Sequence, residues 1–424
     1  MSLLDEMQVL ASQAKTASHE LPRLSAEDKN RCLIAMADAL EGQAAALQQA
    51  NSLDLETGKQ MGLSNALLDR LRLTEKRISG MAGGLRELAE LPDPVGRVLD
   101  ERIRPNQLKL RKITTPIGVV VIIYESRPNV TADAGGLCFK SGNATILRGG
   151  KEALNSNRLI ADTMVKAAKK LIAYFPTHAI QVVPTIDRDA IPALLSLTES
   201  IDLCMPRGGE GLIRAVNDCS KVPVIKHYKG ICHVYVDSEA DLQMAEDIAV
   251  NAKVQRPGVC NALETLLIDQ AVAANFLPAV ADRLAEHQVE LRIDERGRKI
   301  LKSSKARVIP AEEQDWDAEY LDLILAIRVV ENLDEAIGHI NHHGSGHSDA
   351  IVTTSESRAQ RFLNEVDSAA VYWNASTRFT DGNEFGMGAE IGISTDKIGA
   401  RGPMGLEELT SYKWMVIGQG QIRE

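Results

Sequence analysis

The sequence predicts an α/β protein built on parallel sheets. Short apolar runs alternate with helical stretches from Gly118 onward, and a second alternating series extends from Cys232 to about Trp373. Strands that alternate with helices are joined by crossovers, which produce parallel sheets covered by helices. The predicted fold class is therefore α/β with two open parallel-sheet domains, and nucleotides are expected at the carboxyl ends of the strands.

The helical regions and strands follow from the spacing of apolar residues. The first ninety residues read as helix, with Ser25 as an N-cap, and Asp93-Pro94 ends that region. Residues 101–115 alternate charged and apolar side chains, which predicts exposed strands, and the tail 410–422 predicts another edge strand. Strands are then predicted at 119–124, 144–147, 180–183, 201–205 and 222–225, and helices at 133–139, 152–174, 188–197 and 210–216.

The composition is that of a globular protein of two or three domains. The chain has 424 residues, of which 44% are hydrophobic and 25% charged. A net charge of −10 argues against nucleic acid as a partner, because no basic excess exists to neutralise phosphates. Six scattered cysteines without CxxC pairs predict reduced thiols. No signal peptide or membrane-length apolar run is found, so we expect a soluble, cytoplasmic protein with no membrane partner.

Cys260 is the most informative residue of the chain. It lies in the sequence Gln-Arg-Pro-Gly-Val-Cys-Asn, residues 255–261, between a helical stretch and an apolar run. The Pro-Gly turn presents the thiol on a loop held by rigid elements, which is typical of a catalytic nucleophile. The alternative is a small buried residue with no chemical role.

Three polar segments follow predicted strands directly. Asn129 could donate to an oxyanion or could cap the next helix. Residues 148–151, Arg-Gly-Gly-Lys, suit a phosphate or form a solvated basic turn. Gly208 and Gly209 precede a helix and form either a second anion site or a tight turn. No Gly-x-Gly-x-x-Gly fingerprint, Walker loop or His-Glu-x-x-His motif is present.

Two further segments are rich in polar side chains. The histidines at 339, 342, 343 and 347 lack a neighbouring Cys or carboxylate pattern that would complete a metal site. We therefore expect no metal there, and interpret the segment as a polar loop that contacts substrate or orders the site. The stretch 374–395 contains Arg378 and Asp381 and suits a small zwitterion, unless it is simply a surface loop.

Together these segments resemble the aldehyde dehydrogenase superfamily, and within it the γ-glutamyl phosphate reductase family. Residues 255–264 around the cysteine and the His-Ile-x-x-His-Gly-Ser-x-His-Ser-Asp pattern within 330–351 carry the resemblance, which extends over essentially the whole chain. It implies an aldehyde dehydrogenase-like fold in three parts. These are a cofactor-binding domain of residues 1–98 and 119–230, a catalytic domain of 231–405 with Cys260, and a β oligomerisation element of 99–118 and 406–424.

The resemblance also implies roles for individual residues. Cys260 corresponds to the nucleophile, and Asn129 to the asparagine that forms the oxyanion hole with the Cys260 N–H. Gly208 and Gly209 correspond to the turn under the pyrophosphate and nicotinamide of the cofactor. Glu319 resembles the glutamate that holds the nicotinamide ribose.

Two departures from the superfamily pattern are informative. Hydrolytic members carry a Glu-Leu-Gly-Gly-Lys segment whose glutamate activates water, whereas residues 227–232 here read His-Tyr-Lys-Gly-Ile-Cys without a carboxylate. A thioester would then be protected from water. In many NAD-using relatives a glutamate binds the adenosine ribose, whereas this chain has Arg148 and Lys151 in that region. Cations there favour a 2′-phosphate, so NADPH/NADP is the expected cofactor.

The expected function is NADPH-dependent reduction of L-glutamyl 5-phosphate to L-glutamate 5-semialdehyde and phosphate through a Cys260 thioester, in proline biosynthesis. Arg378 and Asp381 are candidates to bind the α-amino and α-carboxylate groups of the substrate. His227 and Lys229 are candidates to bind the leaving phosphate. Arg256 is a candidate for a positive charge near the thiol and the substrate. Exposed edge strands predict a homo-oligomer, and a contact with glutamate 5-kinase stays open. The alternatives are a hydrolytic aldehyde dehydrogenase, for which Glu264 is the local base candidate, and a non-catalytic relative.

Overall fold

The structure, a computed structural model, describes residues 2–301 and 305–423. The chain divides into two compact units. The first contains the residues up to Lys226, Gly386–Gly392 and the described residues from Met404 onward. The second contains His227–Phe385 and Ile393–Pro403. The roles expected for the three domains remain predictions.

The α-helices among the described residues are α1 Leu3–Glu20, α2 Ala26–Gly42, α3 Ala44–Gln60, α4 Asn65–Leu71, α5 Glu75–Glu90, α6 Asn129–Lys140, α7 Leu154–Leu171, α8 Ala190–Leu195, α9 Glu210–Cys219, α10 Leu242–Val254, α11 Gln270–Glu286, α12 Glu295–Ile300, α13 Leu333–His343 and α14 Glu356–Glu365. The strands are β1 Val98–Ile103, β2 Lys109–Pro116, β3 Val119–Tyr124, β4 Ala144–Arg148, β5 Ile180–Val182, β6 Leu203–Arg207, β7 Cys232–Val236, β8 Leu263–Asp269, β9 Glu290–Ile293, β10 Arg307–Pro310, β11 Ile324–Val330, β12 Ser348–Val352, β13 Ala370–Trp373, β14 Gly392–Ser394, β15 Gly402–Met404 and β16 Thr410–Ile417.

The N-terminal region is helical, as predicted, and four of its helices, α1, α2, α4 and α5, begin at hydroxyl caps. The Ser25 Oγ accepts from the Asp28 N–H over 3.1 Å, which satisfies one of the donors that the first turn of α2 leaves open. Ser64 and Thr74 cap α4 and α5 in the same way. The predicted N-cap at Ser25 is confirmed.

The first unit contains a four-stranded parallel sheet of order β5-β4-β3-β6. All six residues of β3 are buried, because the strand is central and covered on both faces. The carboxyl ends of β3, β4 and β6 lie at one edge, so the polar segments that follow them are brought together there.

One predicted strand of this unit is wrong. Residues 222–225 contribute only an isolated bridge between Cys204 and Val224 rather than a fifth strand. Pro223 has no N–H to donate, so the segment cannot continue a regular ladder of hydrogen bonds.

The second unit contains a seven-stranded sheet of order β10-β9-β11-β8-β7-β12-β13, parallel in every recorded pair. Alternate residues of a strand point to opposite faces. Val234 and Val236 of β7 accordingly pack in one core cluster with residues of α10 and α11. Tyr235 faces the other side and stacks on Phe362 of α14. Their ring centroids are 6.5 Å apart, within the usual range of about 4.5 to 7 Å for aromatic pairs.

The remaining β structure is small. An antiparallel sheet of order β1-β2-β16 has mostly exposed side chains on its two outer strands, as the alternating pattern of 101–115 predicted. Strands β14 and β15 form a two-stranded ribbon. None of the helices in the described part of the chain is long and apolar enough to cross a membrane.

Candidate active site

Cys260 lies on a loop that the protein fixes at both ends. Helix α10 ends at Val254, strand β8 begins at Leu263, and the Cys260 side chain between them is partly exposed. The next residue, Asn261, anchors the loop, since its Nδ2 donates to the Thr380 carbonyl over 2.8 Å. Its own carbonyl accepts from the Thr377 hydroxyl over 2.8 Å. The thiol is thus presented to solvent on a loop with little freedom to move.

The segment before β7 passes directly against the Cys260 loop. A Cβ added to Gly230 would overlap the carbonyl oxygen and Cα of Cys260, so only glycine permits this approach. The Gly230 N–H donates to Glu319 Oε1 over 2.8 Å, and the Ile231 N–H donates to Ser345 Oγ over 2.9 Å. Three separate stretches of sequence therefore meet around Cys260.

Two imidazoles lie beside the thiol. One ligand atom each of His227, Cys260 and His347 lies within 4.8 Å of the other two. The His227 Nδ1 lies 2.8 Å from the Ile393 carbonyl oxygen, which can only accept, so Nδ1 carries the proton and Nε2 carries the lone pair. The His347 side chain is fully buried, and burial with the nearby His227 lowers the pKa of His347 to about 3. His347 is therefore neutral near pH 7.

Positive charge surrounds the same loop. The Arg378 guanidinium donates to Gln255 Oε1 over 2.9 Å and also to Asn261 Oδ1. Burial, and next the charge of Arg256, lower the pKa of Arg378, while the nearby Cys260 acts in the opposite direction. An arginine stays protonated under these conditions. The charge of Arg378 therefore lies close enough to Cys260 to interact with it.

The other substrate candidates are at the periphery. Lys229 Nζ lies 3.5 Å from the Asp317 carbonyl oxygen. Asp381 is exposed, and its Oδ1 accepts from the Asn383 N–H over 2.9 Å. Both side chains belong to the second unit, like Cys260.

Glu264 is not available to activate water. It forms a fully buried ion pair with Lys253 at 2.7 Å, and its other oxygen accepts from the Leu321 N–H over 3.1 Å. Burial raises the pKa of Glu264 to about 7, against the opposing charge of Lys253. The local base that the hydrolytic alternative requires is thus enclosed in the core.

The candidate cofactor residues of the first unit lie at the carboxyl edge of its four-stranded sheet, whereas Glu319 belongs to the second unit. Gly209 is the N-cap of α9, and its N–H donates to Glu125 Oε1 over 3.0 Å. A Cβ on Gly208 would lie 2.7 Å from the same oxygen. Asn129 begins α6, and its Nδ2 donates to Asp133 Oδ2 over 3.0 Å. Burial raises the pKa of Asp133 to about 6.

Arg148 and Lys151 differ in their surroundings. The Arg148 side chain is largely buried and donates to the carbonyl oxygens of Gly149 and Ile186, the latter over 3.1 Å. Lys151 is exposed at the start of the 3₁₀ turn Lys151–Ala153. Arg148 therefore shapes the turn, whereas Lys151 offers its charge to solvent or to a ligand.

Sequence reasoning missed the association of His227 and His347 with the thiol, and the contact at Gly230. All of these residues immediately precede a strand of the larger sheet, as Cys260 does. Because β8, β7 and β12 are parallel neighbours, the segments before them meet at the amino edge. The position of these residues ahead of strands is visible in the sequence. Which of those strands are neighbours is known only from their order in space.

Comparison with known proteins agrees with this architecture. The profile described as the aldehyde dehydrogenase family matches residues 4–299 and 309–415. Two curated γ-glutamyl phosphate reductases are similar over 100% of this chain. That of Syntrophomonas wolfei is 54% identical over 422 residues, with 99% of its length covered, and that of Geotalea daltonii is 53% identical over 424 residues, with 100% covered.

Solved structures give the same result. The crystal structure of γ-glutamyl phosphate reductase from Thermotoga maritima matches with a TM-score of 0.95 and 44% identity, covering 99% of this chain and 100% of that one. An acetylating aldehyde dehydrogenase from Geobacillus thermoglucosidasius, at 17% identity, shares the fold with a TM-score of 0.68, covering 100% of this chain and 98% of its own.

The fold is therefore that of the aldehyde dehydrogenases, a class of oxidoreductases whose fold uses a nicotinamide cofactor. Within that family the chain belongs to the γ-glutamyl phosphate reductases, enzymes of proline biosynthesis. The family, the α/β fold class and the enzymatic activity predicted from the sequence are confirmed.

Proposed function

We propose that the reduction of L-glutamyl 5-phosphate to L-glutamate 5-semialdehyde proceeds through a thioester on Cys260. The observation that carries the proposal is the position of the thiol, which lies on an anchored loop within 4.8 Å of two imidazole nitrogens. A nucleophile beside a base that a third group orients is the usual arrangement for covalent catalysis. Here the Ile393 carbonyl orients His227.

The chain's own residues account for the proton and the leaving group. The Cys260 thiol passes its proton to His227 Nε2, and the thiolate attacks the acyl carbon. The bond from that carbon to the phosphate oxygen breaks, and phosphate leaves with its electron pair. NADPH, when bound, supplies the hydride that reduces the thioester. The tetrahedral oxyanion left by hydride addition collapses to the aldehyde and expels the Cys260 thiolate. The thiolate regains the proton held by His227, and the departed phosphate takes its proton from solvent.

Asn129 is proposed as an oxyanion donor on the strength of the family resemblance. Removal of one such donor typically costs about 3 to 4 kcal/mol in transition-state stabilisation. The hydrogen bond to Asp133 supports this role, because it fixes the orientation of the Asn129 amide. The Cys260 N–H is the proposed second donor.

The cofactor proposed is NADPH rather than NADH. The exposed ammonium of Lys151 suits a 2′-phosphate, and the buried Arg148 holds the turn that presents it. Gly208 and Gly209 are the proposed position of the pyrophosphate on the strength of the family resemblance, since they stand at the start of helix α9. Glu319 is the proposed partner of the nicotinamide ribose.

The substrate groups are assigned by charge. Arg256 and Arg378 suit the α-carboxylate, because both lie beside the Cys260 loop. Asp381 suits the α-amino group. Lys229 and the protonated form of His227 suit the departing phosphate.

We also propose a cytoplasmic homo-oligomer. The outer strands β1 and β16 carry large apolar residues that are exposed to solvent. Among them, Ile103 is 66% exposed and Val416 is 59% exposed. Exposed apolar edge strands are pairing sites for another chain. A contact with glutamate 5-kinase would deliver the acyl phosphate before it reacts with water.

The test is the reverse reaction. Glutamate 5-semialdehyde and NADP⁺ are supplied with and without inorganic phosphate to the enzyme, its Cys260→Ala variant and a Cys219→Ala control, which removes another partly exposed thiol. We expect phosphate-dependent NADPH formation that Cys260→Ala abolishes and Cys219→Ala retains. Turnover without phosphate would mean that water resolves the thioester, and activity in Cys260→Ala would exclude the covalent route.

A further inference from the structure

His227, Cys260 and His347 bring three metal-ligand atoms together. The three atoms lie within 4.8 Å of one another, and all three residues belong to the second unit. Two imidazoles and a thiolate form a ligand set typical of zinc, which prefers nitrogen and sulfur. The sequence did not suggest this set, because its members lie in three separate segments.

Both imidazoles are oriented through Nδ1. Each ring uses Nδ1 for a hydrogen bond at 2.8 Å, His227 to the Ile393 carbonyl and His347 to Ser348 Oγ. Behind His347 the chain continues from Ser348 Oγ to Thr380 and Tyr372, at 2.6 Å each. Metal-binding histidines are usually oriented by such outer hydrogen bonds on the second nitrogen.

An unpartnered atom points independently to a ligand. The Nε2 of His347 is buried and has no hydrogen-bond partner among the described residues. The His347 side chain is fully buried. A buried polar atom without a partner costs free energy, and a ligand on this nitrogen would remove that cost.

The geometry is close to that of a bound ion. With Zn–S near 2.3 Å and Zn–N near 2.0–2.1 Å, tetrahedral ligand atoms are separated by about 3.3 to 3.6 Å. The observed limit of 4.8 Å therefore requires a contraction of about 1.2 to 1.5 Å at most. Cys260 and His227 are partly exposed, which provides a route of entry.

We propose that His227, Cys260 and His347 form a binding site for a thiophilic divalent cation of the zinc class, and that the bound cation blocks the nucleophile. The cation replaces the thiol proton, which is released to solvent, so no oxidant or reductant is required. A fourth position remains for water. Hard cations such as Mg²⁺ prefer oxygen ligands and would not bind here.

Cobalt provides a spectroscopic test that does not depend on activity. Co²⁺ added to the full-length protein should give an intense tetrahedral visible spectrum and a thiolate-to-cobalt charge-transfer band. Cys260→Ser should remove that band. His347→Gln should weaken Co²⁺ binding at least about tenfold, since loss of even an outer-shell partner weakens metal sites by 10–100-fold. His342→Gln is the matched control and should leave binding unchanged, because that exposed histidine lies outside the set.

Inhibition rests on the proposed role of Cys260 and is measured separately. Zn²⁺ should slow both the alkylation of Cys260 by iodoacetamide and the reductase reaction, whereas Mg²⁺ at the same concentration should affect neither. A charge-transfer band that persists in Cys260→Ser would overturn the site, because another thiol would then be the ligand. Weaker binding in His342→Gln but not in His347→Gln would also overturn it. Unchanged alkylation in the presence of bound Zn²⁺ would overturn the proposed blocking.

Discussion

At the scale of single residues, Gly230 controls the position of the Cys260 loop. No side chain fits between its Cα and the Cys260 backbone, and its N–H donates to Glu319. The thiol is thus positioned by backbone contact as well as by the side-chain hydrogen bonds of Asn261. A change at this glycine should therefore displace the thiol without removing any reacting group.

Gly230→Ala should lower kcat by about 100-fold, because a displacement of about 1 Å at a reacting centre has an effect of that size. Steady-state kinetics with a thermal melt will measure the effect. Gly338→Ala is the control, since a Cβ there meets nothing within 4 Å and the residue lies in helix α13. It should keep full activity and add about 0.5–1 kcal/mol of stability. Normal turnover by Gly230→Ala would show that the close approach is unimportant.

Lys151→Glu should reverse the cofactor preference. A charge-assisted hydrogen bond to phosphate is worth roughly 1.5–3 kcal/mol, so kcat/KM for NADPH should fall by about 10- to 100-fold. The value for NADH should change much less, because NADH has no 2′-phosphate to repel. Lys166→Glu, a matched charge reversal at an exposed position of α7, should leave both values unchanged. Equal losses with both cofactors would remove Lys151 from the 2′-phosphate site.

At the scale of elements, a buried ion pair joins helix α10 to strand β8. Lys253 and Glu264 have no exposed surface and lie on either side of the Cys260 loop in sequence. Taking two charges from water is costly, and their mutual attraction compensates only while both are present. The pair therefore ties the two elements that support the nucleophile.

Lys253→Met should destabilise the protein by about 3–5 kcal/mol, because it leaves the Glu264 carboxylate buried without its partner. The pKa of Glu264 is already raised by burial, and losing Lys253 raises it further. The folded state then holds the proton more tightly than the unfolded state. The loss of stability should thus be largest above pH 7 and should shrink as the pH falls and Glu264 takes up a proton.

Urea denaturation at pH 8.5 and pH 5.5 measures this effect. The double variant Lys253→Met with Glu264→Gln should recover much of the loss, since it removes the unpaired charge. If the loss of stability in Lys253→Met did not depend on pH, the unpaired charge of the buried Glu264 carboxylate would not be its cause.

At the scale of the whole molecule, the small antiparallel sheet has exposed apolar side chains that suit contact with another chain. Strand β16 pairs with β2 along one side, and most of its side chains are exposed. Trp414 and Val416 are among them. Isolated surface strands of this kind usually carry charges or are covered, so the apolar character of β16 favours assembly with another copy.

Val416→Lys should shift the protein toward smaller species in sedimentation velocity, because an ammonium on the edge strand opposes pairing. Ile398→Lys is the control, since Ile398 is 92% exposed but lies outside any strand, and it should sediment like the parent protein. An unchanged sedimentation coefficient for Val416→Lys across a dilution series would place the interface elsewhere.

Local sequence determined the elements and the turn that presents Cys260. The continuous apolar run of β3, the hydroxyl cap of α2 and the Pro-Gly turn before Cys260 depend on neighbours in the chain, and each was predicted correctly. The misassigned strand at 222–225 was also a local error, because the effect of Pro223 on the ladder outweighed the apolar pattern.

Only the tertiary structure decided which residues surround Cys260. The segments that begin β7, β8 and β12 are adjacent because of the spatial strand order β8-β7-β12, which is not the order of the sequence. That order is set by packing of the whole sheet and its helices, and no local propensity encodes it. For the same reason, the sequence offered Glu264 as a candidate base, but the fold buries this carboxylate against Lys253. The fold instead places His227 and His347 beside the thiol.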